Sequence, residues 1–183
     1  DSVAYRLGGK GGNQAIAAAA AGARVTFAGR IGADAAGAEM AATLRAAGVE
    51  AHIAQGPGAS GMSVAIVTGE GGYGAVIVSG ENRGLDADTV EMAEGTRLLL
   101  LQNELAPQAT RRLVARARAA GLPVMLNAAP ADGLLPGTLA GVDTLAVNRL
   151  EGRDLLGIRP GTLSPGEMVA ALQARLPHAT ILV

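Results

Sequence analysis

Short apolar runs alternating with helix-forming stretches constrain this chain more than any other feature. Arg97 to Leu101, Pro123 to Leu126, Thr144 to Val147 and Ile181 to Val183 each read as a buried strand. Between the first two lies Pro107 to Ala120, a helix opened by Pro and closed by Gly121. Before the last comes a helix over Ser164 to Leu176, with Pro165 at its first position. Apolar strands separated by helices argue for a parallel sheet covered on both faces.

The first half is more varied. Asn13 to Ala21 is nearly all Ala and predicts a helix, with Gly22 as its stop. Arg24 to Ala28 reads as a short strand. Asp34 is placed to cap a second helix running to about Ala47, with Met40 and Leu44 on one face and Gly48 ending it. Glu50 to Ala54, Met62 to Thr68 and Ala75 to Ser79 read as further strands, with Gly69-Glu70-Gly71-Gly72 as a turn. Ser, Thr and Gly on alternate positions predict a half-exposed antiparallel sheet there, a small β insertion in an α/β body.

Composition removes several classes of function. Among 183 residues, 49% are hydrophobic and only one is Phe, two Tyr and none Trp. Mean hydropathy is +0.30, which excludes disorder. A net charge of −1 and a pI near 6.1 give no electrostatic argument for nucleic acid or an anionic membrane. No apolar run approaches the roughly 20 residues needed to span a bilayer. The absence of Cys excludes a disulfide framework, thiolate zinc sites and a cysteine nucleophile, and is compatible with a reducing cytoplasm. The chain has no initiator Met and stops within Ala179-Thr180-Ile181-Leu182-Val183. We expect it to be a piece of a longer protein.

Candidate chemistry clusters where the apolar runs end, because open parallel sheets bind ligands beyond their carboxyl edge. Gln102, Asn103 and Glu104 follow the first run, Asn127 the second, and Asn148 the third, with Glu151 three residues on. Three of the chain's five Asn lie at these ends. Asn also favours turns and helix caps, so each has a plain structural explanation; together with two carboxylates they point to a polar site. A second candidate is Gly8-Gly9-Lys10-Gly11-Gly12-Asn13, which holds the only Lys beside 14 Arg. It lacks the Ser or Thr that a phosphate loop needs after its Lys. Either it is a flexible turn before a helix, or its backbone approaches a ligand so closely that only Gly fits, with Lys10 and Asn13 projecting from the helix entry. Gly29-Arg30-Ile31-Gly32 with Gly37 has the wrong spacing for a dinucleotide loop. His52 and His178 are isolated, without metal-ligand spacing, and are assigned no chemistry. Arg111, Arg112, Arg116 and Arg118 read as a solvated helix face.

Taken in order, these motifs resemble ribokinase and its carbohydrate-kinase relatives, the pfkB family. The resemblance rests on Gly8-Gly9-Lys10-Gly11-Gly12-Asn13-Gln14-Ala15, on Ala23-Arg24-Val25, and on Gly29 to Asp34 with Gly37. It continues through Leu101-Gln102-Asn103-Glu104, Asn127-Ala128-Ala129-Pro130-Ala131, Val142-Asp143 and Asn148-Arg149-Leu150-Glu151. It implies a three-layer α/β/α core around a parallel sheet, with a small β-sheet lid over a sugar. Residues 13–48 and 80–183 would be the core, incomplete here. Residues 1–12 and 49–79 would be the lid with the sugar-binding glycine segment.

The resemblance further implies transfer of the ATP γ-phosphate to a primary hydroxyl of a sugar, D-ribose first among them. Gly9, Lys10, Asn13 and Glu104 would hold the sugar, and Asn148 would lie near the ATP phosphates. Glu151 would help place Mg²⁺ through water. It also implies a cytoplasmic enzyme, a homodimer joined through the lid, and a possible monovalent cation (K⁺) site outside this chain. Two family features are missing: the opening Asn-x-Asp pattern before Gly8, and the Gly-rich segment carrying the catalytic-base Asp, expected beyond Val183. Residues 1–183 alone are therefore expected to turn over negligibly. Another sugar or nucleoside kinase, or a sugar-binding relative without catalysis, is the alternative. The side chains at Ser60 to Ser63 and Val76 to Ser79 would decide among substrates.

Overall fold

The structure is a computed structural model, and it describes residues 8–67, 73–159, 161 and 163–183. The chain divides into two compact units, Asp1–Leu85 and Asp86–Val183, and each is described by itself.

In the first unit, helix α1 (Lys10–Ala20) leads to strand β1 (Thr26–Gly32), helix α2 (Ala35–Ala46) and strand β2 (Glu50–Gly56). Strands β3 (Met62–Val67) and β4 (Tyr73–Val78) follow, then a 3₁₀ turn at Gly80–Gly84. Helix α1 starts three residues earlier than the Ala run predicts. Gly9 takes φ +84° as its N-cap, a conformation open to glycine, and the Asn13 amide donates to the Gly9 carbonyl at 3.1 Å. The Lys-Gly-Gly of the glycine cluster is thus the first turn of a helix. Asp34 caps α2 as expected, accepting from the Gly37 amide at 2.8 Å.

Two expectations need correction here. The first concerns β1, which continues through Gly29-Arg30-Ile31-Gly32, so that motif is strand and not the loop after it. Its bonding partner explains why. Strand β2 runs parallel to β1 in continuous register from Thr26 opposite Glu50 to Gly32 opposite Gly56. The second concerns β2 itself: residues 50–54 belong to this parallel pair and not to an antiparallel sheet with the following strands. Among the described residues only β3 and β4 pair antiparallel, with Met62 opposite Val78 and Val64 opposite Val76. The expected turn at Gly69-Glu70-Gly71-Gly72 lies outside the described residues. The core of this unit joins Ala15, Leu44 and Val49, with Ile16, Ala19, Val25, Phe27, Ala51 and Ile53 packed against them. Small side chains on α1 suit this close packing.

The second unit matches the strand and helix rhythm of the sequence. Strands β5 (Leu99–Gln102), β6 (Val124–Asn127), β7 (Thr144–Ala146) and β8 (Thr180–Leu182) form one parallel sheet in that order. Between them lie helices α3 (Pro107–Ala119), α4 (Arg149–Leu156) and α5 (Pro165–Arg175), and a 3₁₀ turn at Thr138–Gly141. Pro107 and Pro165 open α3 and α5, and Gly121 takes φ +69° just past α3. Val124, Leu126, Val142 and Leu145 are fully buried, and Leu113, Val114 and Ala117 of α3 and Met168 and Leu172 of α5 are buried as well. At Gly152 an added Cβ would press on the Met168 side chain and lie 3.3 Å from Val147 Cγ2, so α4 needs glycine there to approach α5. The short, charged α4 is a helix that the sequence pattern does not predict. Both units are α/β.

Candidate active site

Because β5, β6 and β7 are parallel and adjacent, their carboxyl ends share one edge. Gln102 stands opposite Asn127, and Asn127 opposite Ala146. Glu104 leaves that edge two residues after β5, and Asn148 two residues after β7, with one strand between them. At the usual strand spacing the two departures are roughly 10 Å apart. Glu104 is half-buried, Asn148 exposed and Glu151 half-buried.

Asn148 and Glu151 form a complete capping box at the start of α4. The Asn148 Oδ1 accepts from the amides of Leu150 and Glu151, both at 2.9 Å. The Glu151 Oε2 accepts from the Asn148 amide at 2.8 Å. One oxygen of each side chain thus serves the helix. This fixes where the Asn148 amide nitrogen and the second Glu151 oxygen point from. A carboxylate so held at the head of a helix can serve a cation that phosphates also hold, because Mg²⁺ is commonly bound by one or two carboxylates plus substrate oxygens. Among the described residues no group of three or more His, Asp or Glu is placed to hold a metal by itself.

Asn103 behaves differently. It is 6% exposed, and its Nδ2 donates to the carbonyls of Pro130 and Asp132 at 2.8 and 2.7 Å. It braces the loop after β6 from within. Of the three strand-end Asn, then, one is a brace and one a cap.

In the first unit, Gly9, Lys10 and Asn13 sit together at the head of α1. Gly9 and Asn13 are exposed and Lys10 half-buried. Among the described residues nothing lies within 4 Å of a Cβ built on Gly9, and its φ of +84° is a conformation that favours glycine. Gly9, Lys10 and Asn13 belong to one unit, and Glu104, Asn148 and Glu151 to the other.

Several polar contacts escaped sequence reasoning because their partners are far apart along the chain. Glu81 accepts from Arg30 Nε at 2.7 Å and from the Gly58 amide at 2.7 Å. Asp34 accepts from the Ser60 amide at 2.8 Å and hydroxyl at 2.6 Å. The Ser60 hydroxyl bond and the two backbone amides hold the Asp34 carboxyl below its ordinary range, and the Arg30 bond does the same for Glu81. His52, in β2, meets Glu50 at 3.0 Å, and His178 lies in a turn. Arg112 and Arg118 pair with Asp88 and Asp143 at 2.8 and 3.1 Å on the exposed side of α3. In the second unit a hollow of about 530 Å³ lies between residues 131–140 and the ends of α4 and α5, and Glu104, Asn148 and Glu151 are not among its lining.

Residues 1–183 match the pfkB family carbohydrate kinase family. The ribokinase of Haemophilus influenzae is 33% identical over 162 residues, covering 85% of this chain and 52% of that protein. The solved ribokinase of Giardia lamblia superposes with a TM-score of 0.81 at 28% identity, over 95% of this chain and 57% of that one. The Arabidopsis thaliana ribokinase complexed with ribose and ATP gives 0.77 at 26% identity, over 95% and 58%. The chain spans about half the length of the curated relatives it matches.

Proposed function

Since this chain belongs to the pfkB family of carbohydrate kinases, we propose that the whole protein transfers the γ-phosphoryl group of ATP to the primary hydroxyl of a sugar. The favoured substrate is D-ribose, giving D-ribose 5-phosphate. The support for this reading is the family match over residues 1–183, joined to the departure of Glu104 and Asn148 from one edge of β5–β7. Ribokinases are among the relatives, and one of them was solved with ribose and ATP.

Phosphoryl transfer asks a protein for positioning and charge neutralisation more than for covalent chemistry. Sugar hydroxyls both donate and accept, so they suit an array of mixed groups. In this reading Lys10 and Asn13 donate to the sugar from the head of α1, and Gly9 lets the chain enter that helix. Glu104 accepts from sugar hydroxyls. Asn148 faces the phosphates, and Glu151 holds, through water, the Mg²⁺ that offsets their charge. The base for the acceptor hydroxyl is assigned to an Asp beyond Val183, and a K⁺ site to the same region. The β3–β4 hairpin covers the sugar and joins two copies into a dimer, and the enzyme works in the cytoplasm.

A coupled assay of ADP release by the whole protein tests this reading. ADP formation that depends on D-ribose, with phosphate on the primary hydroxyl by NMR, is the expected result. The Lys10→Ala variant is expected to raise the sugar KM and lower kcat; unchanged values would remove Lys10 from the sugar site. ADP release only with another sugar or a nucleoside would move the substrate within the family. Ribose binding with no ADP from any sugar would make the protein a non-catalytic binder. Residues 1–183 alone are expected to be inactive, and turnover by them near that of an intact kinase would contradict a base outside them.

A further inference from the structure

The β3–β4 hairpin is attached to its unit through two roots, and two carboxylates tie these roots down: Asp34 from the head of α2, and Glu81 on the outgoing root itself. Residues 57–61 lead into β3, and residues 79–81 lead out of β4. Asp34, at the head of α2, takes the Ser60 amide on one oxygen at 2.8 Å and the Ser60 hydroxyl on the other at 2.6 Å. The same hydroxyl accepts from the Gly32 amide at 3.0 Å, at the end of β1. Glu81, on the outgoing root, takes the Gly58 amide of the incoming root and the Arg30 guanidinium of β1, both at 2.7 Å. Its own amide donates to the Ala59 carbonyl at 3.0 Å.

Glycines allow this contact to be so close. A Cβ on Gly37 would lie 2.7 Å from Ser60 Oγ, and one on Gly61 would lie 2.7 Å from Asn82 Nδ2. One on Gly80 would lie 2.9 Å from Gly61 N. Ser60 is 6% exposed, and the Arg30 and Glu81 side chains are 25% and 14% exposed. Charge-assisted bonds to backbone amides in such a setting are short and directional. By contrast, among the described residues the hairpin beyond its roots has only its two strands, too few to fix its own orientation.

We propose that Asp34 and Glu81 are positioning residues: together with Ser60 and Arg30 they clamp both roots and so set the angle at which the hairpin stands over the substrate. This rests on the reading of the hairpin as the sugar cover. Neither carboxylate touches substrate in this scheme. Each acts through the hairpin, so its loss lets the cover sample orientations that do not close on sugar.

The test uses the whole protein with Asp34→Asn, Glu81→Gln and the milder Ser60→Ala, which removes the buried hydroxyl alone if the carboxylate variants fold poorly. Spin labels at Ile77→Cys on the hairpin and Glu39→Cys on α2, with other cysteines replaced and unlabelled protein in excess, report the hairpin angle. The expected result is a broadened or shifted distance distribution in each variant. With it, the sugar KM rises about tenfold while the ATP KM moves less than about twofold. Unchanged distances in all three variants would overturn the proposal. So would altered distances with an unaltered sugar KM, or equal rises for sugar and ATP. Should the wild-type protein phosphorylate no sugar, the kinase reading is what fails; the distances then decide the clamp alone, broadening supporting it and constancy overturning it.

Discussion

Asn148 and Glu151 hold each other across the first turn of α4: the Asn148 Oδ1 takes the Glu151 amide at 2.9 Å, and the Glu151 Oε2 takes the Asn148 amide at 2.8 Å. The pair is both a structural cap and, in the proposed reaction, the phosphate and Mg²⁺ end of the site. One substitution separates the two roles. Gln fills the third position of a capping box as well as Glu does, but it carries no charge. Glu151→Gln is therefore expected to keep the thermal midpoint of the wild type while kcat falls about tenfold or more and the Mg²⁺ needed for half-maximal rate rises. Unaltered kinetics with an unaltered midpoint would confine Glu151 to capping.

Asn103 gives the opposite expectation. Its buried amide ties Pro130 and Asp132 to the end of β5. Asn103→Ala leaves two carbonyls without this donor, at a cost of about 1–3 kcal/mol. Chemical denaturation should report that loss, with the slope unchanged. A stability equal to the wild type would mean that water replaces the brace without penalty.

Acid should loosen the first unit before neutral pH affects it. Hydrogen bonds from Ser60 and Arg30 lower the folded-state pKa of Asp34 and Glu81 respectively. A carboxyl with a depressed folded pKa stabilises fully above its unfolded value, and the contribution disappears as pH falls through the folded value. Melting temperature is thus expected to be insensitive to these two groups above about pH 5 and to fall below about pH 4. In Asp34→Asn and Glu81→Gln the acid limb should be shallower, because the titrating group is gone. Parallel acid limbs in wild type and variants would contradict this.

The hairpin also bears on assembly. Met62 and Val78, and Val64 and Val76, are direct cross-strand partners, which puts these four side chains on one face. Each is between 45% and 55% exposed. An apolar face of this kind invites a partner. The whole protein is expected to sediment as a dimer and Val76→Asp as a monomer. A wild-type monomer at micromolar concentration, or a dimer that survives the substitution, would remove the hairpin from the interface.

The parts of this chain that could be read from sequence are those whose cause is local. Strands β5 to β8 announce themselves as apolar runs, and Pro107, Pro165 and Asp34 mark helix starts that the structure retains. Strand β2 does not declare its partner in sequence: residues 50–54 alternate between exposed and half-buried, a pattern an antiparallel strand also gives. Its partner, known only from the register, decided otherwise. Glycine's weak helix propensity hid the first turn of α1, where a positive-φ cap at Gly9 starts the helix. The clamp was illegible for a different reason. Arg30 lies 51 residues from Glu81 and Asp34 lies 26 from Ser60, so no spacing rule connects them. At the site, composition singled out Lys10 and the strand-end Asn, but only coordinates distinguish the inward brace at Asn103 from the cap at Asn148.

The most direct test is a crystal structure of the whole protein with D-ribose and a non-hydrolysable ATP analogue. The account predicts the Lys10 ammonium and the Glu104 carboxylate each within about 3 Å of hydroxyls on the same sugar, with Asn148 beside the phosphates at the sugar's reactive end. A sugar bound elsewhere, or Lys10 and Glu104 on surfaces that no single ligand bridges, would contradict it.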